Sequence, residues 1–241
     1  MSTVDYLGRD NLAAMSAMSR YNGWIYDTLA PSLGPEVFEA GCGNGNIARW
    51  IVGGGRVRRY VGVDLSEAFC RSLQHDLKPP AGVTCEFYPR DLQSFEASEF
   101  SSRPFDTIVC SNVLEHIEND IHLLEKFYLM LKPGGALVLQ VPAFQWLFGS
   151  IDAIDQHYRR YSRTDLVPKV RQVGFEVRQV FYFNALGILA WIWHGKILKL
   201  TTHSQTELKL WDTLVPVLRR AESCLRPPLG LSLFVMAQKP S

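Results

Sequence analysis

The sequence has little net charge, few cysteines and no long apolar run. Its 25 basic and 24 acidic side chains leave a formal net charge of +1, so no overall field attracts nucleic acid and no nucleic-acid partner is expected. The five cysteines are scattered and never form a C-x-x-C pair, which argues against a disulfide framework and a zinc site. No uninterrupted apolar run reaches the roughly 18 residues of a membrane-spanning helix.

The first residues and the composition bound the class of protein. Residues 1–5 lack the basic start and apolar core of a signal peptide, and scattered cysteines suit a reducing interior, so a cytoplasmic location is expected. The chain has 241 residues, of which 47% are hydrophobic and 20% charged. It is long enough to bury the core of one α/β domain, and we expect a single domain.

A short apolar run meets three glycines in residues 36–46, which read Glu-Val-Phe-Glu-Ala-Gly-Cys-Gly-Asn-Gly-Asn. Val37 and Phe38 predict a buried strand, the glycines allow a sharp turn, and the apolar residues that follow recur at helical spacing. The dinucleotide fingerprint needs its third glycine where Asn46 stands, and the Gly-Lys-Ser/Thr ending of a phosphate loop is absent. On these residues alone, a tight turn before a packed helix is as good an interpretation as a ligand-binding turn.

An acidic residue, Glu39, precedes the G-x-G-x-G pattern of Gly41, Gly43 and Gly45. This arrangement resembles the first motif of the class I S-adenosylmethionine-dependent methyltransferases. The resemblance implies that Glu39, Gly41 and Gly43 belong to a turn that holds the methionine part and the ribose of S-adenosyl-L-methionine, with S-adenosyl-L-homocysteine as the product.

A second acidic residue ends the next predicted strand, Tyr60 to Asp64. Nucleotide-binding folds place a carboxylate about 20 residues after the glycines, where it accepts hydrogen bonds from the ribose hydroxyls. We therefore predict that Asp64, with its neighbour Leu65, contacts the cofactor. In the alternative, Ser66 caps the next helix and Asp64 is only a helix-start residue.

Two further strand ends continue the pattern. The third predicted strand, residues 83–88, is followed by Asp91 and Leu92. The resemblance implies that Asp91 accepts a hydrogen bond from the adenine amino group and that Leu92 packs on the adenine ring. In the alternative, Asp91 is an ordinary loop residue, since aspartate is common at such positions. The fourth strand, residues 105–112, ends at Asn112. The carboxyl ends of parallel strands bind ligands in open sheets, so we also predict Asn112 as a cofactor contact.

The order of these signals predicts the fold. Leu-Glu-His-Ile follows the fourth strand and Leu-Lys-Pro-Gly-Gly precedes the fifth, residues 136–141, and both again look like the class I methyltransferases. We expect an α/β, Rossmann-like, seven-stranded and mostly parallel sheet flanked by helices, with the last two strands at 175–183 and 231–238. A helical cap would occupy 1–34, the cofactor-binding core 35–142, and substrate-facing loops with a helical insertion before the last strand 143–241.

Residues 5–30 are predicted to be helical, with apolar positions such as Leu12 before Pro31 and Gly34 break the pattern. In the resembled family such helices often fold over the cofactor. This makes Tyr21 and Trp24 candidates to line it, and ordinary packing is the alternative.

The loop after the fifth strand is rich in aromatic and basic residues, and in the resembled fold this loop faces the substrate. The candidate acceptor contacts are Phe144, Trp146, Tyr158, Arg159 and Arg160. The arginines could clamp a phosphate or carboxylate, since guanidinium forks suit such groups, or could form a normal solvated surface.

Two histidines are candidates for catalysis. Methyl transfer is an in-line displacement, and a histidine that titrates near neutrality can remove the proton of an acceptor hydroxyl. His157, in the candidate substrate loop, is the first choice and His116 the second; a hydrogen-bonded structural role is the alternative for His157. No metal is expected, because no His/Cys/Asp cluster has ligand spacing and the acids of a catechol-type magnesium site cannot be assembled.

Residues 185–200 are apolar nearly all round and end near Lys196 and Lys199. They predict a cover over the acceptor pocket, a helix in a membrane surface, or a plain core helix. We expect methylation of a small molecule, at a hydroxyl oxygen of an apolar, lipid-like or glycan-linked acceptor. The alternatives are C- or N-methylation of a natural product and a catalytically inactive binding protein; the signature of amino-nitrogen methylation is missing from residues 111–114, which argues against an RNA or protein substrate.

Overall fold

A computed structural model describes residues 15–193, 205–225 and 227–241. The first part of the predicted amino-terminal helix, with Leu12, and the end of the predicted apolar helix, with Lys196 and Lys199, lie outside these residues.

All seven predicted strands are present in one sheet. Their bounds are β1 Glu36–Ala40, β2 Arg59–Asp64, β3 Thr84–Pro89, β4 Phe105–Ser111, β5 Leu131–Pro142, β6 Glu176–Phe183 and β7 Ser232–Gln238. Six agree closely with the sequence prediction. The fifth begins earlier, because residues 132–135, predicted to end a helix, form an irregular part of β5 where the pairing with β4 shifts between Phe105 and Thr107.

The strand order is β3-β2-β1-β4-β5-β7-β6. Strand β7 pairs antiparallel with both of its neighbours, whereas the pairs among β1 to β5 are parallel. The predicted Rossmann-like, mostly parallel sheet is therefore confirmed. The chain order reverses between β1 and β4, and ligands bind at the carboxyl ends of the strands around such a point.

Helices pack on both faces of this sheet. The α-helices of the described residues are α1 Ser19–Leu29, α2 Ala48–Gly53, α3 Glu67–Asp76, α4 Ser98–Ser101, α5 Asp120–Met130, α6 Ser150–Ile154, α7 Arg163–Gln172, α8 Gly187–Trp191 and α9 Gln205–Leu225. None of these described helices combines the length and the hydropathy that crossing a membrane requires.

Side chains of β1 alternate between two buried layers, as strand geometry requires. Phe38 joins a cluster with Phe127 of α5 on one face, and Val37 joins a second cluster with Trp24 of α1 and Ile51 of α2 on the other. The sheet is thus covered on both sides, which explains the nearly continuous apolar character of its central strands.

The predicted helical cap is anchored to α9 by one buried side chain. Asp212 of α9 accepts hydrogen bonds from the backbone N–H groups of Arg20 and Tyr21, at 3.2 and 2.9 Å. These N–H groups lie in the first turn of α1, where a helix has no internal acceptors for them. The contact holds α1 and α9 together above the carboxyl ends of β4 and β5.

Candidate functional site

The glycine turn after β1 is held against β2. The N–H groups of Gly41 and Cys42 both donate to the carbonyl of Val63, at 2.7 and 3.0 Å. Gly41 has a φ of +72°, and a Cβ built on it would lie 2.2 Å from a methyl group of Val113. Only glycine fits this position, because both the backbone conformation and the close approach exclude a side chain.

Asp64 connects the glycine turn to the end of β2. One carboxylate oxygen accepts from the N–H of Gly43 at 2.8 Å, and the other accepts from the N–H of Ser66 at 2.8 Å. Ser66 itself caps α3, as the alternative required, and the role of Asp64 toward the ribose stays a prediction. Burial raises the pKa of Asp64. The two N–H donors favour the ionised carboxylate and so oppose this shift. Leu65 is 60% exposed beside it.

Glu39 lies beneath the turn and is 3% exposed. Its carboxyl group accepts a hydrogen bond from the hydroxyl of Tyr60 on the neighbouring strand. Burial raises the pKa of Glu39 to about 8, and the hydrogen bond from Tyr60 opposes this shift. The side chain thus braces β1 against β2 from inside the protein.

The residues after β3 and β4 lie at the same edge of the sheet. Asp91 accepts a hydrogen bond of 2.9 Å from the N–H of Gln93 and so forms a local turn. Leu92 is 7% exposed and packs in the same buried cluster as Phe95. Asn112 has a φ of 52° and donates its N–H to Gln140 at 2.8 Å. Its backbone therefore turns where β4 ends.

A cavity of about 310 Å³ opens beside Asn112. It lies between α1, the carboxyl ends of β4 and β5, the start of β7, α8 and α9. One group of polar residues lies at the β4 end and in the loop after β5, and a second group, Tyr21, Asn184 and Ser232, lies near the start of β7. Apolar side chains supply most of the remaining wall: Met15, Met18, Trp24, Ile151, Trp191, Leu208, Trp211, Val215, Leu218 and Leu231.

Helix α9 was not predicted to line the site, although its sequence carries a signal. The wall residues Leu208, Trp211, Val215 and Leu218 recur at intervals of three and four. This is the spacing of one face of a helix. What the pattern does not indicate is whether that face packs on the sheet or covers a cavity.

Three of the predicted residues meet at the polar end of this cavity: His116, His157 and Arg160. Tyr21 also lines it; burial raises the pKa of its phenol to about 12, and its hydroxyl bonds with Asn184 and Ser232 favour the ionised form. Tyr21 also packs in the same buried cluster as Cys42 of the glycine turn, and its contact with the cofactor stays a prediction.

The other predicted acceptor contacts do not line the cavity. Phe144 stacks on Tyr182 with ring centroids 4.6 Å apart. Trp146 and Tyr158 are 51% and 50% exposed. Arg159 pairs with Asp120 at 3.1 Å. The loop after β5 therefore turns part of its aromatic and basic surface outward, which a prediction from composition could not detect.

A fully buried carboxylate, Asp152, organises the polar end of the cavity. One of its oxygens lies 2.7 Å from His157 Nδ1 and 2.8 Å from Arg160 Nε. Burial acts to raise the pKa of Asp152, but the bond with His157 and the charge of Arg160 hold it below its usual range. Burial likewise acts to lower the pKa of His157, but the bond to Asp152 and the negative charges of Glu115, Asp152 and Asp155 together raise it.

The guanidinium group of Arg160 hydrogen-bonds to other groups of the protein, so it does not offer a bidentate pair of donors to a ligand. Besides Asp152, its guanidinium bonds the carbonyl of Ala143 at 3.3 Å and lies 4.3 Å from the ring of Trp191. The indole of Trp191 donates to the carbonyl of Leu147 at 2.8 Å. These contacts join α8 to the loop after β5 and form one side of the cavity.

Glu115 and His116 complete the polar end. Glu115 is 1% exposed, and burial raises its pKa to about 7. The rings of His116 and His157 meet edge to face with centroids 4.6 Å apart, and burial, with the charge of His157, lowers the pKa of His116 to about 4. Ligand atoms of Glu115, His116 and His157 all lie within 4.8 Å of one another. The sequence predicts no metal cluster because these residues lack ligand spacing along the chain. The fold, however, brings His157 next to Glu115 and His116, which are distant from it in the sequence.

The mostly parallel sheet, the glycine turn after β1 and the carboxylate at the end of β2 define a class I methyltransferase architecture. The profile of the methyltransferase domain family matches residues 9–180. The chain belongs to this family and is an S-adenosylmethionine-dependent methyltransferase.

The names of similar proteins point to different methyltransferase reactions. A ubiquinone biosynthesis O-methyltransferase of Paracidovorax citrulli is 33% identical over 171 residues, which cover 65% of this chain and 69% of that protein. A tRNA U34 carboxymethyltransferase of Saccharophagus degradans is 26% identical over 157 residues, which cover 62% of this chain and 46% of that protein.

Solved structures share the fold at low identity. Phosphoethanolamine N-methyltransferase 2 of Haemonchus contortus, in complex with S-adenosyl-L-methionine, has a TM-score of 0.62 and 21% identity, over 100% of this chain and 60% of that chain. An S-adenosylmethionine-dependent methyltransferase of Mesorhizobium loti has a TM-score of 0.59 and 18% identity, over 89% of this chain and 96% of that chain.

Proposed function

We propose that this methyltransferase transfers the methyl group to a hydroxyl oxygen of an apolar, lipid-like or glycan-linked small molecule. The observation that carries the proposal is the cavity: its walls are largely apolar and its polar end holds His157 and His116. Such a cavity suits an acceptor with an apolar body and one reactive polar group.

The edge of the sheet supports the assignment of cofactor contacts. Asp64 is already tied to the N–H of Gly43, and its remaining lone pairs are suited to the ribose hydroxyls. Asp91 and Leu92 follow the next strand and would meet the adenine, although Leu92 is mostly committed to the core. Asn112 lines the cavity and would lie where the cofactor and the acceptor meet.

His157 is the proposed base. Its Nδ1 is bonded to Asp152, so Nε2 is the nitrogen available to an acceptor in the cavity. Asp152 would fix the orientation of the ring, as a carboxylate does for a catalytic histidine. As the acceptor oxygen attacks, the bond between the methyl carbon and the sulfonium sulfur breaks, and Nε2 takes the hydroxyl proton.

The relatives support more than one acceptor. The ubiquinone biosynthesis O-methyltransferase favours oxygen as the methylated atom, and the tRNA enzyme keeps an RNA acceptor as the second candidate. The formal net charge of +1 disfavours RNA. C- or N-methylation and an inactive binding role complete the alternatives.

A peripheral membrane contact belongs to the same proposal. In the described part of residues 185–200, the side chains of Leu186, Leu189 and Trp193 are exposed, and α9 adds Leu210 and Leu214. Exposed apolar residues beside an apolar cavity suit a lipid-like acceptor taken from a membrane surface. The cytoplasmic location stays a prediction.

The test compares labelled methyl transfer to phenolic lipids, to polar phenols and to transfer RNA. We expect turnover on an apolar hydroxyl compound, a large loss of kcat in His157→Gln, and unchanged cofactor affinity. His122→Gln, on the exposed surface of α5, is the matched control. Turnover on transfer RNA alone would contradict the proposal, as would an unchanged kcat in His157→Gln. Cofactor binding without turnover on any acceptor would favour the inactive alternative.

A further inference from the structure

Three metal-ligating side chains converge on the polar end of the cavity. Glu115 and His116 follow β4, and His157 lies in the loop after β5. One ligand atom from each lies within 4.8 Å of the other two. In a tetrahedral site with bonds of about 2.0–2.1 Å, neighbouring ligand atoms are about 3.4 Å apart. Small side-chain rotations would therefore close these three groups around one ion.

Glu115 provides an independent sign that a partner belongs here. Its Oε2 is buried and has no hydrogen-bond partner among the described residues, and the residue lines the cavity. A buried carboxylate oxygen without a partner costs free energy, and native proteins rarely leave one so. A cation at the polar end of the cavity would satisfy it.

Both histidines are already oriented by other groups. Asp152 bonds Nδ1 of His157 at 2.7 Å, which leaves Nε2 as the ligand nitrogen. A hydrogen bond to the backbone of Asp155 holds His116. In metalloproteins, a ligating histidine commonly donates its second ring N–H to a carboxylate or a carbonyl in this way. The surroundings thus match those of metal ligands rather than those of isolated histidines.

We propose that Glu115, His116 and His157 bind a divalent transition-metal ion such as Zn²⁺. Two imidazoles favour zinc, iron or nickel over Mg²⁺, which prefers oxygen ligands and keeps its waters. Three protein ligands leave a fourth position open, and the cavity reaches all three.

The consequence for methyl transfer rests on the proposed function. An acceptor hydroxyl at the open position would bind the ion through oxygen and lose its proton to water more readily. The oxygen–methyl bond would then form as the sulfur–methyl bond breaks. His157 would serve as a ligand in this state, and the ion would take over the task of making the oxygen nucleophilic.

The test measures binding of ZnCl₂ alone, with no cofactor and no acceptor. The whole chain is stripped with a chelator and titrated by calorimetry, and Co²⁺ is added separately to record its visible ligand-field absorption. We expect about one zinc ion per chain with micromolar or tighter affinity, at least tenfold weaker binding in Glu115→Gln, and unchanged binding in His122→Gln. Thermal unfolding of each stripped variant shows whether it is folded, and His157→Asn replaces Glu115→Gln if that variant is not.

The outcomes separate the two proposals. If zinc does not bind, or binds equally to the wild type, Glu115→Gln and His157→Asn, the metal site is overturned while hydroxyl methylation with His157 as base still stands. If zinc binds as expected but no hydroxyl compound is methylated, the metal site stands and the proposed function fails.

Discussion

The carboxylate of Asp212, in α9, accepts a hydrogen bond of 2.9 Å from the backbone N–H of Tyr21, in the first turn of α1. The two residues come from opposite ends of the chain, and both elements line the same cavity. This bond therefore couples the stability of the amino-terminal helix to the shape of the cavity.

Replacing Asp212 with alanine should lower the free energy of unfolding by about 1–3 kcal/mol, because it leaves two N–H groups at a helix start without an acceptor. Urea unfolding measures this. The matched control is Asp27→Ala, which removes the pair between Asp27 and Arg219 of the same two helices. That pair is about half exposed, so its loss should cost less than about 1 kcal/mol. Equal losses in the two variants would contradict the account.

Asp64→Ala should weaken binding of S-adenosyl-L-methionine by about ten- to a hundredfold, which corresponds to the 1 to 3 kcal/mol of a lost polar partner. Asp64→Asn keeps one acceptor oxygen and should lie between this variant and the wild type. Calorimetry with the cofactor measures both. Asp76→Ala, an exposed carboxylate at the end of α3, should bind normally. Wild-type affinity in Asp64→Ala would exclude the ribose role.

Trp191→Ala should raise the KM for the acceptor by about tenfold, equivalent to about 1.4 kcal/mol, and leave cofactor affinity unchanged. The reason is that Trp191 lines the cavity and packs against Arg160. Trp193, two residues further on, is 55% exposed, so Trp193→Ala should leave KM for a soluble acceptor unchanged. Steady-state kinetics of the two variants tests the placement, and the reverse order of effects would refute it.

Trp193 has a separate expected effect. If residues 186–193 contact a membrane surface, Trp193→Ala should reduce co-sedimentation with lipid vesicles, since a large apolar side chain contributes to interfacial binding. Wild-type binding to vesicles in this variant, or no binding by the wild type, would remove the membrane contact.

Glu39 should make the stability depend on pH. Burial raises its pKa from an ordinary value of 4.5 to about 8, so the folded chain holds more protons than the unfolded chain between these values. The contribution of Glu39 to stability is therefore fully present below about pH 4.5 and is lost as the pH rises toward about 8, by at most about 1.4 kcal/mol per pH unit.

Glu39→Gln lacks this titration and keeps an acceptor for the hydroxyl of Tyr60. Its free energy of unfolding, relative to the wild type, should increase between about pH 5 and pH 8. Denaturant unfolding at several pH values measures the difference. Glu67→Gln, an exposed glutamate in α3, should show no such trend, and parallel curves for Glu39→Gln and the wild type would contradict the prediction.

The strands and the cofactor edge could be predicted from local patterns. The apolar run around Val37 and Phe38 predicts a strand, and the glycine spacing predicts a turn at Gly41, whose φ of +72° favours glycine. Asp64 follows from its position after β2, since strand ends in a parallel sheet meet at one edge whatever the rest of the chain does. The strands, the glycine turn and the position of Asp64 each depend on a short stretch of sequence, so local patterns are enough to predict them.

The acceptor side could be predicted only in part. The sequence by itself determined the positions of the seven strands along the chain, the glycine turn, the carboxylate at Asp64 and the candidacy of His157. Only the tertiary structure decided that Glu115 and His116 meet His157, that Asp152 holds its ring, and that Phe144, Trp146, Tyr158 and Arg159 lie outside the cavity. The physical reason is that β4 and β5 are adjacent in the sheet, so the loops that follow them pack together, and which side of a loop faces inward depends on partners far away in the chain.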